Sequence, residues 1–195
     1  MYCSFTSNQV PDDEIDRYLN ALHREVEFAG KAAKDSGYTV ESVYFGGGTP
    51  TTLTAGQMDK LLNRVFKDFD LSSNREFTVE AGRPDTITEE KLKVLKDYGV
   101  NRISINPQSM KDRTLELIGR RHSVKEVYDA FEIAGKVGFQ VINTDLIAGL
   151  PEEDEGDFAQ SLSEVLKLGA TNVTLHTLAV KRASRLMEMD ENFNY

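Results

Sequence analysis

A regular alternation of short β-prone segments with amphipathic helical segments constrains the fold of this 195-residue chain more than any other feature. Apolar residues first recur at steps of three and four over residues 15–33, which predicts a helix that ends near Gly37. Helical patterns then separate five β-prone segments, at residues 40–45, 76–81, 100–105, 141–147 and 172–179. Strands that alternate with helices predict a parallel α/β sheet.

The alternation favours a barrel or partial barrel over a doubly wound sheet. Neither Gly-x-Gly-x-x-Gly nor the P-loop signature occurs, so the nucleotide-binding fingerprints of doubly wound proteins are absent from the sequence. Because the pattern begins on a helix, we expect the first strand of the barrel to be missing. Residues 1–181 are assigned to this core, and residues 182–195 to a polar tail without clear periodicity.

Composition excludes several function classes. The net charge of −9 and the pI near 4.9 argue against a partner such as nucleic acid or an anionic membrane surface. No apolar run approaches the ~20 residues of a membrane span, and acidic residues from Asp12 onward interrupt any signal peptide, so a cytoplasmic location is expected. The single cysteine, Cys3, rules out an internal disulfide framework and a multi-thiolate metal site built by this chain alone.

Three consecutive glycines, Gly46, Gly47 and Gly48, follow the first β-prone segment and precede Thr49 and Pro50. Glycines at a strand end reduce stability through their conformational entropy. They are tolerated where backbone approaches a ligand closely or adopts a positive φ. Taken alone, the segment is equally consistent with a ligand-binding loop and with a plain turn.

Polar side chains at the ends of the other β-prone segments favour the ligand-binding interpretation. These residues are Glu80, Asn106, Gln108, Asp145, His176 and Thr177. In parallel β/α barrels the carboxyl ends of the strands form one rim, where ligands bind. Carboxylates accept hydrogen bonds from ribose hydroxyls or an ammonium group, and glycine N–H groups or the Arg120 guanidinium suit a carboxylate. The combination suits an amino acid joined to a ribose, although each residue by itself could be structural.

Several motifs in fixed order carry a family resemblance. They are YCSF at residues 2–5, FGGGTP at 45–50, VEA at 79–81, RISINPQS at 102–109 and DLIAGLP at 145–151. Together they resemble the radical S-adenosylmethionine proteins of the oxygen-independent coproporphyrinogen III oxidase group. The run HTLAVKRAS at residues 176–184 resembles the coproporphyrinogen dehydrogenase branch of that group.

The resemblance implies a partial radical SAM barrel with a [4Fe–4S] cluster and S-adenosylmethionine as cofactors. Reductive cleavage would yield a 5′-deoxyadenosyl radical, which abstracts hydrogen from two propionates of coproporphyrinogen III and leaves the vinyl groups of protoporphyrinogen IX. The implied partners are this tetrapyrrole and an electron donor protein. Cys3 would be the third cysteine ligand of the cluster. The implied cofactor-binding residues are Tyr2, Gly47, Gly48, Thr49, Glu80, Gln108, Arg120, Asp145 and Ala179.

The chain departs from the family pattern at the cluster. The first two cluster cysteines are missing before Cys3, and we expect the C-terminal domain of the family to be missing as well. One thiolate does not hold a cluster firmly, so we expect a fragment that is inactive alone. Three alternatives remain: the core of a radical coproporphyrinogen dehydrogenase, a heme-handling relative with the same core, and a catalytically inert fragment or binding module.

Overall fold

The strands and helices of the computed structural model, which describes residues 11–179, follow the predicted alternation. Their order is α1 (Asp12–Asp35), β1 (Ser42–Phe45), α2 (Ala55–Asp68), β2 (Glu76–Glu80), α3 (Glu89–Asp97), β3 (Arg102–Ser104), α4 (Asp112–Leu117), α5 (Val124–Val137), β4 (Val141–Ala148), α6 (Glu155–Lys167) and β5 (Asn172–Thr177). Short 3₁₀ helices at Pro50–Thr52 and Pro84–Thr86 follow β1 and β2.

The five strands form one parallel sheet in the order β1-β2-β3-β4-β5. Each strand therefore lies beside its predecessor, whereas a doubly wound sheet reverses direction at a switch point. This order confirms the parallel α/β prediction and fits a partial barrel. The missing first strand and the core boundary at residue 181 stay predictions, and the tail at 182–195 lies outside the described residues.

Four of the five strands are shorter than the β-prone segments predicted, whereas β4 extends one residue further, to Ala148. Strand β1 begins at Ser42, β3 spans only Arg102–Ser104, and β5 ends at Thr177. Val100 is fully buried, but its N–H bonds back to Leu95 at the end of α3. The apolar pattern of a segment indicates which residues are buried, and buried residues such as Val100 can lie outside the hydrogen-bonded strand. The pattern therefore tends to overestimate the length of the strand.

The two faces of the sheet differ in polarity. Alternate residues on one face are apolar and pack with the helices into the core, as Phe77, Val79, Ile103, Ile142 and Leu146 do. The residues between them form what we call the inner face, whose polar members include Thr78, Glu80, Arg102, Ser104, Asn143 and Asp145. Parallel sheets covered by helices on both faces normally have apolar strands throughout. The alternation therefore suits a polar barrel interior.

Local signals fix the helix ends that lead into and out of the strands. Capping boxes join Thr54 with Gln57 at the start of α2 and Ser123 with Glu126 at the start of α5, and the Gly138 C-cap has a φ of 89°. Such caps satisfy backbone groups that the helix itself leaves without partners. None of the helices in residues 11–179 is both long and apolar enough to cross a membrane.

Candidate functional site

A cavity of about 250 Å³ lies on the inner face and gathers side chains from all five strands. It is lined by Tyr44, Thr78, Glu80, Arg102, Ser104, Asn106, Asn143, Asp145, Thr174 and His176. A wider depression of about 510 Å³ is lined by residues of α1 alone, and none of the polar residues predicted from the strands lines it. The inner-face cavity is therefore the candidate site, and it unites the two predicted acids, Glu80 and Asp145.

Glu80 is held at the end of β2 by a neighbour on β1. The Tyr44 hydroxyl donates a hydrogen bond of 2.6 Å to Glu80 Oε1. Partial burial, followed by the hydrogen bond and charge of Glu80, raises the pKa of Tyr44 to about 12. The phenol accordingly stays protonated at neutral pH and remains a donor to the carboxylate.

Asp145 is held in a comparable way, but it lies within β4, three residues before the end of the strand, and not at a strand end as the sequence predicted. Asn143 Nδ2 donates to Asp145 Oδ1 at 2.9 Å, and Thr174 Oγ1 donates to Asn143 Oδ1 at 3.2 Å. His176 Nε2 lies 3.8 Å from Asp145 Oδ2, and its side chain is half-exposed. The carboxylate thus has one oxygen fixed by an amide and the other beside an imidazole at the mouth of the cavity.

The glycine loop combines a turn with open space. Gly47 has a φ of 109°, and the Thr49 carbonyl accepts hydrogen bonds from the N–H and the hydroxyl of Thr52. A Cβ added at Gly47 or at Gly48 would meet no atom of the described residues within 4 Å. The loop is therefore a turn into a 3₁₀ helix that leaves its glycines accessible. Cofactor contact by Gly47, Gly48 and Thr49 stays a prediction.

Gln108 and Arg120 do not line the cavity that contains the acids. Gln108 is buried with a φ of 74°, and its backbone pairs with β4 through Asp145 and Ile147. Its side-chain amide donates to the Asn106 carbonyl at 3.4 Å. Arg120 Nη1 donates to the Gly82 carbonyl, just beyond β2, at 3.3 Å. Both residues lie near the rim, and their roles toward a cofactor stay predictions.

Three remaining predictions concern the ends of the chain. Tyr2 and Cys3 lie outside the described residues. Ala179 is exposed just beyond β5, where the preceding residue, Leu178, donates its N–H to the Ala148 carbonyl. The role of Ala179 beside an adenosine also stays a prediction.

Sequence reasoning missed most of the cavity's wall below the rim. Tyr44, Arg102, Asn143 and Thr174 all contribute side chains to it. The signal was available as the strict alternation of polar and apolar residues over 76–80 and 102–106. Arg102 is the cationic member, and its Nη1 lies 3.6 Å from Glu76 Oε1.

The cavity's donors and acceptors fit the S-adenosylmethionine half of the implied cofactors better than the cluster half. Oriented carboxylates suit ribose hydroxyls and an ammonium group, and an accessible glycine loop suits close backbone contact. For the cluster the chain offers one thiolate, Cys3. Within residues 11–179 no group of three or more His, Cys, Asp or Glu side chains is arranged to hold a metal ion.

Known proteins are similar to this chain in sequence and in fold. The oxygen-independent coproporphyrinogen-III oxidase-like protein HemZ of Bacillus subtilis is 46% identical over 188 residues, which are 95% of this chain and 38% of HemZ. The heme chaperone HemW of the same organism is 41% identical over 184 residues, which are 92% of this chain and 47% of HemW. The structure of Escherichia coli coproporphyrinogen III oxidase (HemN), a radical SAM enzyme, matches with a TM-score of 0.82 and 27% identity. The match covers 91% of this chain and 41% of HemN.

This chain thus spans less than half the length of each of these relatives. The model of the radical SAM superfamily matches residues 1–165, which include every strand except β5 and nearly all of the motifs quoted above. With a match over most of its length and a sheet like that of HemN, the chain belongs to the radical SAM superfamily.

Proposed function

We propose that this chain is the cofactor-binding core of a radical SAM oxidoreductase that decarboxylates coproporphyrinogen III. The observation that carries the proposal is the pair of oriented carboxylates, Glu80 and Asp145, in one cavity beside the accessible glycine loop. The similarity to HemZ and HemN supports the tetrapyrrole as the class of substrate.

In this proposal the carboxylates of Glu80 and Asp145 accept hydrogen bonds from the ribose hydroxyls or the ammonium group of S-adenosylmethionine. The glycine loop and Arg120 meet the methionyl carboxylate, and Gln108 and Ala179 complete the contacts. Cys3 supplies one ligand of the [4Fe–4S] cluster. Bound together, cluster and S-adenosylmethionine supply hydrogen-atom abstraction, for which an electron donor protein provides the reducing electron.

The overall change at the substrate is an oxidative decarboxylation. Each of two propionate side chains would lose one hydrogen atom, abstracted with the bound cofactors, and one electron, taken up by a separate one-electron acceptor. Each would release CO₂, so that a vinyl group remains. The described residues bind and orient the cofactor for this reaction. The contribution of His176, at the mouth of the cavity, would be contact with the substrate.

An anaerobic assay of the cluster-reconstituted intact protein tests the proposal. With S-adenosylmethionine and a reductant, we expect coproporphyrinogen III to be converted to protoporphyrinogen IX, as followed by chromatography and mass spectrometry. Asp145→Asn, which keeps the size of the side chain and removes its charge, should reduce turnover. A cluster-loaded protein that leaves the substrate unchanged would overturn the assignment.

A second candidate function is heme binding by a chaperone. The observation in its favour is the 41% identity to the heme chaperone HemW over 92% of this chain. The cofactor cavity does not separate the two functions, because both kinds of relative match nearly the whole chain. Titration of the intact protein with heme discriminates: tight stoichiometric binding without turnover of coproporphyrinogen favours the chaperone.

A further inference from the structure

We propose that Tyr44 is a positioning residue that orients Glu80 for the ligand in the inner-face cavity. The inference rests on the proposed function only in treating Glu80 as a group that binds S-adenosylmethionine. It adds to the site a residue that belongs neither to the glycine loop nor to the two acids, Glu80 and Asp145.

The geometry is a contact between neighbouring parallel strands. Tyr44 on β1 is paired in register with Thr78 on β2, so it lies on the same face as Glu80, two residues further along. Its hydroxyl donates to Glu80 Oε1 at 2.6 Å, and both side chains line the cavity. Among the described residues this is the hydrogen bond that fixes the Glu80 carboxylate. Because the phenol occupies one acceptor site of Oε1, the other acceptor sites of the carboxylate remain for a ligand.

The glycine loop is shaped around this pair. A Cβ added at Gly46 would lie 2.6 Å from Tyr44 Cε1 and 3.1 Å from Glu80 Oε1. Real Cβ contacts are essentially never as short as 2.6 Å, and 3.1 Å is tight, so a larger residue at position 46 would displace the phenol ring or the carboxylate. The first glycine therefore serves the Tyr44–Glu80 contact, whereas Gly47 and Gly48 adjoin open space.

The exposure of Tyr44 indicates that this residue acts by positioning Glu80 and not by contributing to the hydrophobic core. The residue keeps 61% of its surface exposed, although its hydroxyl is bonded. Hydrogen bonds between exposed groups contribute little net stability, so the main effect of this bond is to select one orientation of Glu80. The raised pKa of Tyr44 agrees with a phenol that remains a donor across the physiological pH range.

The chain contains a matched control at a distance from the cavity. Tyr128 on α5 donates to Glu164 Oε2 on α6 at 3.3 Å; Tyr128 is exposed and Glu164 is partly buried. This pair has the same chemistry but joins two helices outside the site. The variant Tyr128→Phe therefore measures how a Tyr→Phe substitution affects binding and stability when the pair lies outside the site.

The test is a double-mutant cycle on the cluster-reconstituted intact protein, with S-adenosylmethionine binding measured by titration calorimetry. We expect Tyr44→Phe to weaken binding about five- to tenfold, since the Glu80 carboxylate is then no longer held in the orientation in which it meets the ligand. Glu80→Gln should weaken binding further. The double variant should bind like Glu80→Gln alone, because the phenol has then lost the charge that it positions. Tyr128→Phe should bind like the unmodified protein, and all variants should keep their thermal midpoints.

The outcomes separate this inference from the proposed function. If Glu80→Gln weakens binding but Tyr44→Phe binds like Tyr128→Phe, the positioning role is wrong and the site stands. If the two effects add fully in the double variant, Tyr44 acts independently of Glu80 and the inference also falls. If Glu80→Gln has no effect, both the inference and the assigned cofactor site are wrong. Should Tyr44→Phe lower the thermal midpoint markedly, the bond stabilises the fold, which likewise contradicts the inference.

Discussion

At the level of single residues, the phenol of Tyr44 is an internal reporter of the charge on Glu80. Burial, the hydrogen bond to Glu80 and the negative charges of Glu80 and Asp145 all raise its pKa, which lies near 12. A negative neighbour disfavours the phenolate. Glu80→Gln removes one of these charges, so we expect the pKa of Tyr44 to fall while the effect of burial persists.

Ultraviolet titration of tyrosinate absorbance measures this change. The spectrum of Tyr44→Phe, subtracted from that of each protein, isolates the signal of this one phenol from the chain's seven tyrosines. An unchanged pKa in Glu80→Gln would mean that the 2.6 Å hydrogen bond does not persist in solution.

His122 is another residue whose pKa is shifted by folding. It lies just before α5 and is only 3% exposed. Burial and then the nearby positive charge of Arg120 lower its pKa, against opposing contributions from Asp85 and Glu126. The folded protein therefore keeps this imidazole neutral down to a lower pH than an ordinary histidine.

This lowered pKa predicts a pH dependence of stability. Between the folded pKa of His122 and its ordinary value near 6.5, the unfolded chain binds more protons than the folded one. The free energy of unfolding should therefore be highest above pH 6.5 and decrease as the pH falls through this window. Urea denaturation from pH 7.5 to 5.5 checks the direction. His122→Asn should flatten the curve over this range, whereas His23→Asn on α1 should retain the decrease caused by His122.

At the level of secondary-structure elements, the glycine loop after β1 separates steric from ligand-binding roles. A Cβ at position 46 collides with the Tyr44 ring, whose exposure lets it swing away. Gly46→Ala should therefore fold but lose the Tyr44–Glu80 bond. A Cβ at position 48 meets no atom of the described residues within 4 Å and requires no positive φ.

These two substitutions give distinct predicted outcomes. Gly46→Ala should lower the pKa of Tyr44 from about 12, whereas Gly48→Ala should leave both that pKa and the thermal midpoint unchanged. Gly48→Ala should nevertheless weaken S-adenosylmethionine binding, because its methyl group occupies space proposed for the cofactor. Titration of the phenol, thermal unfolding and calorimetry on both variants distinguish these effects. Equal behaviour of the two variants would contradict the separation.

The same element shows how far sequence reasoning reaches. Apolar segments located the strands, and the two acids chosen from them line one cavity, although Glu80 ends β2 whereas Asp145 lies within β4. Side-chain direction beyond a strand end depends on loop conformation, which the pattern does not report. Gln108, with its φ of 74°, and Arg120, bonded to the Gly82 carbonyl, were expected beside the acids but do not line their cavity.

At the level of the whole molecule, the two-faced sheet was the part that sequence reasoning overlooked. Alternation of helices and strands predicts a parallel sheet but does not distinguish its faces. The alternation of polar and apolar residues within each strand distinguishes the two faces. In β3, Ile103 is completely buried against the helices, while Arg102 and Ser104 face the cavity. The register that aligns Glu80 with Ser104 follows from backbone pairing and could not be predicted from either strand alone.

The two faces predict different sensitivities at adjacent positions of β3. Ile103 belongs to the core and is 0% exposed, so Ile103→Ala should lower the free energy of unfolding by about 2–5 kcal/mol through lost burial and a cavity. Ser104 is 5% exposed but points to the inner face, where truncation removes a hydroxyl and leaves no apolar void. Ser104→Ala should therefore lower stability by less than about 1 kcal/mol. Urea denaturation with unchanged m-values measures both, and equal losses would mean that the inner face is packed as core, which would be incompatible with a ligand-accessible cavity there.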